Sequence, residues 1–268
     1  MHNNQPIGIF DSGIGGLTVA RSIAQALPNE QLIYFGDTAH LPYGEKSKQA
    51  IISYSEKIAE FLIEHGCKAI VIACNSASSM SYEIIRDKYK GQLPVISVID
   101  PIIEAITHDD DIKNVGLIAT KATIASGVYQ EKLHRRKPNL IYSALATPLL
   151  APMIEEGFFN HNISNTLINN YLQNEILNNI DALILGCTHY VMIKEEINAY
   201  YNHSIKLYDS TDIVSDKLKS ILNKENLLSN TKKSDSVFYV SDFTQSFEAT
   251  AKMFFGDKIK LIHFPLWS

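Results

Sequence analysis

Ala69-Ile70-Val71-Ile72-Ala73-Cys74-Asn75-Ser76-Ala77-Ser78 and Ala182-Leu183-Ile184-Leu185-Gly186-Cys187-Thr188-His189-Tyr190 state one pattern twice. Each opens on a short apolar run rich in Val, Ile and Leu, the signature of a buried parallel strand. Each then passes through a cysteine into small polar residues, which read as a turn into a helix N-terminus. A thiol there faces unpaired backbone N–H groups and the positive end of a helix dipole, so its thiolate should form more easily and react faster. One such cysteine suggests a nucleophile. Two in matching places suggest a pair of bases facing one substrate.

Outward from these stretches, apolar runs alternate with helix-like segments, as in α/β folds with parallel sheets. Strands are expected over residues 6–10, 31–35, 68–73, 94–98, 113–119, 139–144, 181–185, 205–208, 236–241 and 258–263. Helical patterns lie between them, for example Lys48 to Glu64 and Ile163 to Leu177. The chain also repeats itself. Ile7-Gly8-Ile9-Phe10 resembles Val115-Gly116-Leu117-Ile118, and Leu32-Ile33-Tyr34 resembles Leu140-Ile141-Tyr142. Gly8 to Leu32 and Gly116 to Leu140 are both steps of 24 residues, while Tyr34 to Cys74 is 40 and Tyr142 to Cys187 is 45. Order, spacing and cysteine placement together point to two similar α/β domains with parallel-rich sheets related by pseudo-symmetry. The first begins at the N-terminus and reaches Val98, and the second runs from Ile99 to Asp209. Residues 210–268 are short for a third domain and are expected to add a helix, a strand, a helix and a strand to one of the two.

With 268 residues, 46% hydrophobic and 20% charged, the chain has the make-up of a soluble globular protein with a sizeable core. Its net charge of -5 supplies no basic surplus to neutralise phosphates, so no nucleic-acid partner is expected. The one dense basic cluster, Lys132 to Lys137, reads as a solvated face. Neither a leader peptide nor a membrane span is expected, since no charged-then-apolar start and no apolar stretch of ~20 residues is found. Three cysteines are too few for a disulfide framework, and a reducing cytoplasm is the simplest home.

Four segments carry chemistry. Gly8 to Thr18 ends a strand in Asp11 and follows it with Gly13, Gly15 and Gly16, a turn that can cradle an anion. As a dinucleotide fingerprint it fits poorly: Thr18 stands where the third glycine belongs, and Asp11 would repel a pyrophosphate. A small carboxylate suits it better, and Asp11 alone is equally readable as the cap of the next helix. Gly36 to Ser47 is a loop punctuated by Pro42 and Gly44, able to bind a carboxylate through backbone N–H groups or simply to connect. The cysteine turns add Asn75 and Ser76 beside one thiol and Thr188 and His189 beside the other, with His189 a proton partner for Cys187. Cys67 precedes a strand and reads as a small buried hydrophobe. No metal site is expected: Cys74, Cys187, His189 and Asp11 lack the spacing of a zinc motif. A Cys74–Cys187 disulfide would need Cα atoms within roughly 7 Å, closer than two bases flanking an amino acid can stand.

At these residues the chain resembles the glutamate racemases of the aspartate/glutamate racemase family. The resemblance rests on Ile9-Phe10-Asp11-Ser12-Gly13-Ile14-Gly15-Gly16-Leu17, on Tyr34-Phe35-Gly36-Asp37-Thr38 with Pro42-Tyr43-Gly44, on Ala73-Cys74-Asn75 and on Gly186-Cys187-Thr188-His189-Tyr190. It implies two α/β domains with the active site in the cleft between them, and places residues 210–268 in the first domain. It implies cofactor-independent racemisation of glutamate, with D-glutamate supplied to peptidoglycan synthesis. Cys74 and Cys187 would be the acid/base pair, Cys74 for D-glutamate and Cys187 for L-glutamate. Asp11 would assist Cys74, His189 would assist Cys187, and Glu155 is a further catalytic candidate. Substrate contacts would come from Asp11, Ser12, Tyr43, Gly44, Asn75, Ser76, Thr188 and His189, with Thr120 and Thr123 added. Ser76 departs from the threonine common in the family, keeping the hydroxyl and losing a methyl. No cofactor and no membrane partner are implied, and a homodimer is among the assemblies left open. An aspartate racemase, a dicarboxylate-binding protein and a thiol-redox sensor are the alternatives.

Overall fold

Ten strands, all paired in parallel, form two sheets in the computed structural model, which describes residues 3–159, 162–231 and 235–267. In chain order they are β1 (Ile7–Asp11), β2 (Leu32–Gly36), β3 (Ala69–Ile72), β4 (Val95–Ser97) and β5 (Asn114–Ala119). There follow β6 (Ile141–Ala146), β7 (Ala182–Gly186), β8 (Lys206–Tyr208), β9 (Val237–Val240) and β10 (Leu261–His263). Every expected strand is present. The start of β10 moves most, from 258 to Leu261. The runs were legible because β1, β2, β3 and β7 are buried along their whole length, and a strand covered on both faces has no polar alternation.

The sheets run β10-β9-β2-β1-β3-β4 and β6-β5-β7-β8. The second order repeats the β2-β1-β3-β4 portion of the first, so the internal repeat is a repeat of topology. Its register differs from the sequence match. Leu32 lies opposite Ile7, but Tyr142, not Leu140, lies opposite Val115. The equal 24-residue steps therefore join residues that are two positions out of structural register. Residues 210–268 contribute helix Asp212–Lys224, β9, helix Gln245–Phe255 and β10, and both strands extend the first sheet beyond β2. Residues 1–2, 232–234 and 268 of the expected first domain lie outside the described residues.

Helix Lys48–Glu64 forms where expected. Ser47 caps it, accepting from the Ala50 N–H at 3.3 Å, and Ile51, Ser55, Ile58, Ala59 and Leu62 recur on its buried face. The expected helix over 163–177 is corrected: it spans Asn162–Leu172, and a short 3₁₀ turn, Glu175–Leu177, follows. Asn174 breaks the run, its side-chain oxygen taking the Ile176 N–H at 3.1 Å in place of a helical carbonyl.

One apolar cluster joins the two sheets, with Ile9, Tyr34 and Val71 on one side, Leu117 and Leu183 on the other, and Ile102 and Leu218 from helices between. A second covers the opposite face of the first sheet with Phe10, Phe35, Ile58 and Ile72. Among the described residues no helix is long and apolar enough to cross a membrane. In parallel α/β sheets, ligand sites lie beyond the carboxyl ends of the strands. Here those ends carry Asp11, Cys74, Thr120 and Cys187.

Candidate active site

Strand register fixes the two cysteines as equivalents. Phe10 of β1 pairs with Ile72, and Ile118 of β5 pairs with Leu185. Cys74 and Cys187 each stand two residues beyond that partner, and both line one cleft. Ser12, Tyr43, Gly44, Asn75 and Ser76 line it from the side of the first sheet, and Thr120, Glu155, Thr188 and His189 from the side of the second. Pro42 and Gly186, both inside the quoted motifs, also line it, as do Leu41, Ala151 and Pro152, which were not among the expected site residues. Asp11 and Thr123 stand behind this wall.

Cys74 occupies the N-cap position of helix Asn75–Lys88, taking the Ala77 N–H at 3.4 Å. Its thiol donates to Ser12 Oγ at 3.5 Å. The expectation that this setting eases thiolate formation is overturned. Burial, reinforced by the negative charge of Asp11, pushes the Cys74 thiol up to about 12. One backbone N–H and one hydroxyl do not replace the water that burial removes. Iodoacetamide labelling of Cys74, followed by peptide mass spectrometry, should climb about tenfold per pH unit from pH 7 to 10. A plateau near pH 9 would show an ordinary thiol.

Asp11 is not the cap of the helix that follows. That helix, Leu17–Ala26, has Gly16 at its N-cap and no side-chain cap bond. The Asp11 carboxylate takes the Gly13 N–H at 3.0 Å through Oδ2, while its buried Oδ1 has no partner. Burial raises its pKa, against the opposing pull of His189 and the Gly13 N–H. With Cys74 bonded to Ser12 and Ala77, Asp11 acts on the thiol through charge.

The second turn differs from the expected helix start. Cys187 opens the 3₁₀ segment Thr188–Ile193 and receives no cap bond; the α-helix begins at Lys194. Its partner is His189, whose Nδ1 lies 3.5 Å from the sulfur. His189 Nε2 lies 2.8 Å from Glu155 Oε1. Because the carboxylate can only accept, Nε2 carries a proton, and Nδ1 is free to exchange one with the thiol. Burial opposes charge on His189, but Cys187 and Glu155 outweigh it and hold the imidazole well above its ordinary value. The chain Glu155–His189–Cys187 is thus a relay in which the ring can take or return the thiol's proton.

The glycine-rich turn is packed, not open. A Cβ on Gly15 would come within 2.4 Å of His189 Cε1 and 2.5 Å of Thr188 Oγ1, so only glycine lets this turn lie against the second cysteine turn. Thr18, which breaks the dinucleotide fingerprint, spans the same contact: its hydroxyl bonds the Gly15 carbonyl at 2.9 Å and the Thr188 carbonyl at 3.2 Å.

Around the cleft the remaining groups are donors. Ser76 Oγ meets Thr120 Oγ1 at 2.9 Å and Thr123 Oγ1 at 3.3 Å, so Thr123 is buried behind a chain of hydroxyls. Tyr43 donates to Asp37 at 2.7 Å, and the same buried carboxylate also receives Ser241 at 2.7 Å and Trp267 Nε1 at 2.8 Å. Asn75 accepts from Tyr129 at 2.7 Å, while its Nδ2 is buried without a partner. Trp267 and Tyr129 were missed as supports because their partners come from distant parts of the chain, whereas Asp37 stood in a quoted motif six positions from Tyr43. Among the described residues no Lys or Arg lines the cleft. A carboxylate entering it meets neutral donors and His189, with the one lining carboxylate, Glu155, engaged by His189. Cys67 lies in the second apolar cluster, and burial alone pushes it up to about 12. All three cysteines are free thiols.

Comparison with known proteins adds the following. The family model described as Asp/Glu/Hydantoin racemase matches residues 7–218. A glutamate racemase of Neisseria meningitidis serogroup C is 39% identical over 259 residues, covering 96% of this chain and 95% of that protein. The crystal structure of glutamate racemase from Francisella tularensis in complex with D-glutamate superposes with a TM-score of 0.92 at 40% identity, covering 99% of both chains. The glutamate racemase isoform RacE1 from Bacillus anthracis gives a TM-score of 0.93 at 30% identity, covering 98% of this chain and 99% of that one.

Proposed function

The chain belongs to the Asp/Glu/Hydantoin racemase family, a family of isomerases, and we propose that it interconverts L- and D-glutamate by a two-thiol mechanism without a cofactor. Supply of D-glutamate for peptidoglycan synthesis is the role that goes with this reaction. The observation that carries the reading is that two register-equivalent thiols face one cleft, each with its own proton-managing neighbour. Glutamate is favoured over aspartate because relatives at 39% and 40% identity are glutamate racemases.

In the mechanism, one cysteine as thiolate removes the Cα proton of bound glutamate, and the other as thiol gives its proton to the opposite face. Sulfur loses charge to carbon and carbon returns it to the second sulfur, so the enzyme ends with the protonation of its thiols exchanged. Cys74 serves D-glutamate and Cys187 serves L-glutamate. The Cα–H bond is a very weak acid, and burial of Cys74 helps here: a thiol that ionises only near 12 is a strong base once formed. At the other face the Glu155–His189 pair takes the proton of Cys187 and returns it, and the charge of Asp11 tunes Cys74. Ser12, Tyr43, Gly44, Asn75, Ser76, Thr120 and Thr188 bind the substrate, with Asp11 and Thr123 supporting them from behind. Fixed donors around the carboxylates stabilise the carbanion where water would otherwise have to reorganise. The cleft lies between two domains, residues 1–98 with 210–268 and residues 99–209.

Purified protein, given L- or D-glutamate with EDTA and no pyridoxal phosphate, should bring the circular dichroism signal to zero from either side. Aspartate, run in parallel, should change far more slowly. Activity lost on chelation, activity that appears only with pyridoxal phosphate, or preference for aspartate would each overturn the proposal.

A further inference from the structure

Asn75 lines the cleft with its amide donor buried and unsatisfied, and something must decide which end of that amide is left free for a substrate. The residue is 2% exposed, and its Nδ2 has no hydrogen-bond partner in the protein. Its Oδ1 is engaged by the hydroxyl of Tyr129 at 2.7 Å. Tyr129 is 1% exposed and sits in helix Val128–Arg136, which packs against helix Ile99–Thr107, whereas Asn75 opens the helix that follows β3 of the first sheet. Burial pushes the Tyr129 phenol above its ordinary value, so the hydroxyl keeps its proton and can donate. With the amide turned over, Oδ1 would face the cleft and repel a carboxylate. Among the described residues no Lys or Arg lines the cleft to compensate, so each neutral donor there matters more.

We propose that Tyr129 is a positioning residue: its hydroxyl fixes the Asn75 amide so that Nδ2 points at a substrate carboxylate. The inference rests on the racemase function proposed above. Because the two residues come from different halves of the chain, the donor is oriented only when those halves are together. Nothing in the sequence marks Tyr129, which stands 54 positions from its partner.

The test is steady-state racemisation by wild type, Tyr129→Phe, Asn75→Ala and the double variant, with both enantiomers as substrates. Phenylalanine keeps the buried ring and removes only the hydroxyl. The expected result is a KM about tenfold higher for both enantiomers, the size of one hydrogen bond to a charged group, with kcat within about threefold. In the Asn75→Ala background, Tyr129→Phe should change KM by less than about twofold, because the amide it positions is gone. A merely structural role would leave KM alone, or multiply with Asn75→Ala. Either result overturns the proposal. Asn75→Asp provides a second reading if the Phe variant folds poorly: it still accepts from Tyr129 but presents an acceptor to the cleft, and KM should rise by more than about 10²-fold with the melting temperature kept. An Asn75→Asp variant that binds normally also overturns it. Inactive wild type would instead count against the racemase assignment itself.

Discussion

Replacing either Cys74 or Cys187 by alanine should abolish racemisation in both directions, by about 10⁴-fold or to below detection. A single thiol can remove a proton from one face of Cα but cannot deliver one to the other. L- and D-glutamate are equally stable, so a variant cannot keep one direction and lose the reverse: kcat/KM falls equally for both. The loss should come without unfolding, since each thiol sits at the edge of its apolar cluster as a wall of the cleft, and alanine removes only one sulfur there. Cys67→Ala is the control. Its sulfur is buried against Gly8 and Leu62 on the far face of the first sheet, and its removal should leave activity within about twofold. An active Cys187→Ala enzyme, or a folded but inactive Cys67→Ala enzyme, would refute the assignment.

Much of this architecture could be read from the residues because parallel strands buried on both faces leave uninterrupted apolar runs. The runs ending at Ile72 and Gly186 are such cases, and the cysteines after them fall at one register position. Their chemical settings were less legible. Asn75-Ser76 and Thr188-His189 look alike as turns, yet one opens an α-helix and the other a 3₁₀ segment. Only the first supplies a backbone N–H to sulfur. The direction of the Cys74 shift was missed because local sequence shows the cap but not the depth of burial, and burial dominates. Leu32 and Leu140 matched by eye while lying two residues out of register, since apolar runs score well at several offsets. Supporting contacts were invisible for a simpler reason. Trp267 reaches Asp37 across 230 positions and Tyr129 reaches Asn75 across 54, and no spacing rule spans such distances.

Solvent deuterium offers the most direct view of the two opposed thiols. In deuterated water, thiol protons exchange with solvent before substrate binds. If one thiol takes the Cα proton and the other protonates the opposite face, each molecule of product carries one solvent deuterium at Cα from the first turnover. The substrate that remains should stay unlabelled at early times, because the proton it would regain is held by the sulfur that removed it. A single base working on both faces would carry the abstracted proton across and return part of it to the product. The decisive measurement is mass spectrometry of early product and residual substrate, separated by enantiomer, starting from L- and then from D-glutamate. The two-thiol account predicts fully monodeuterated product and unlabelled substrate in both directions; substantial retention of the original proton in the product would contradict it.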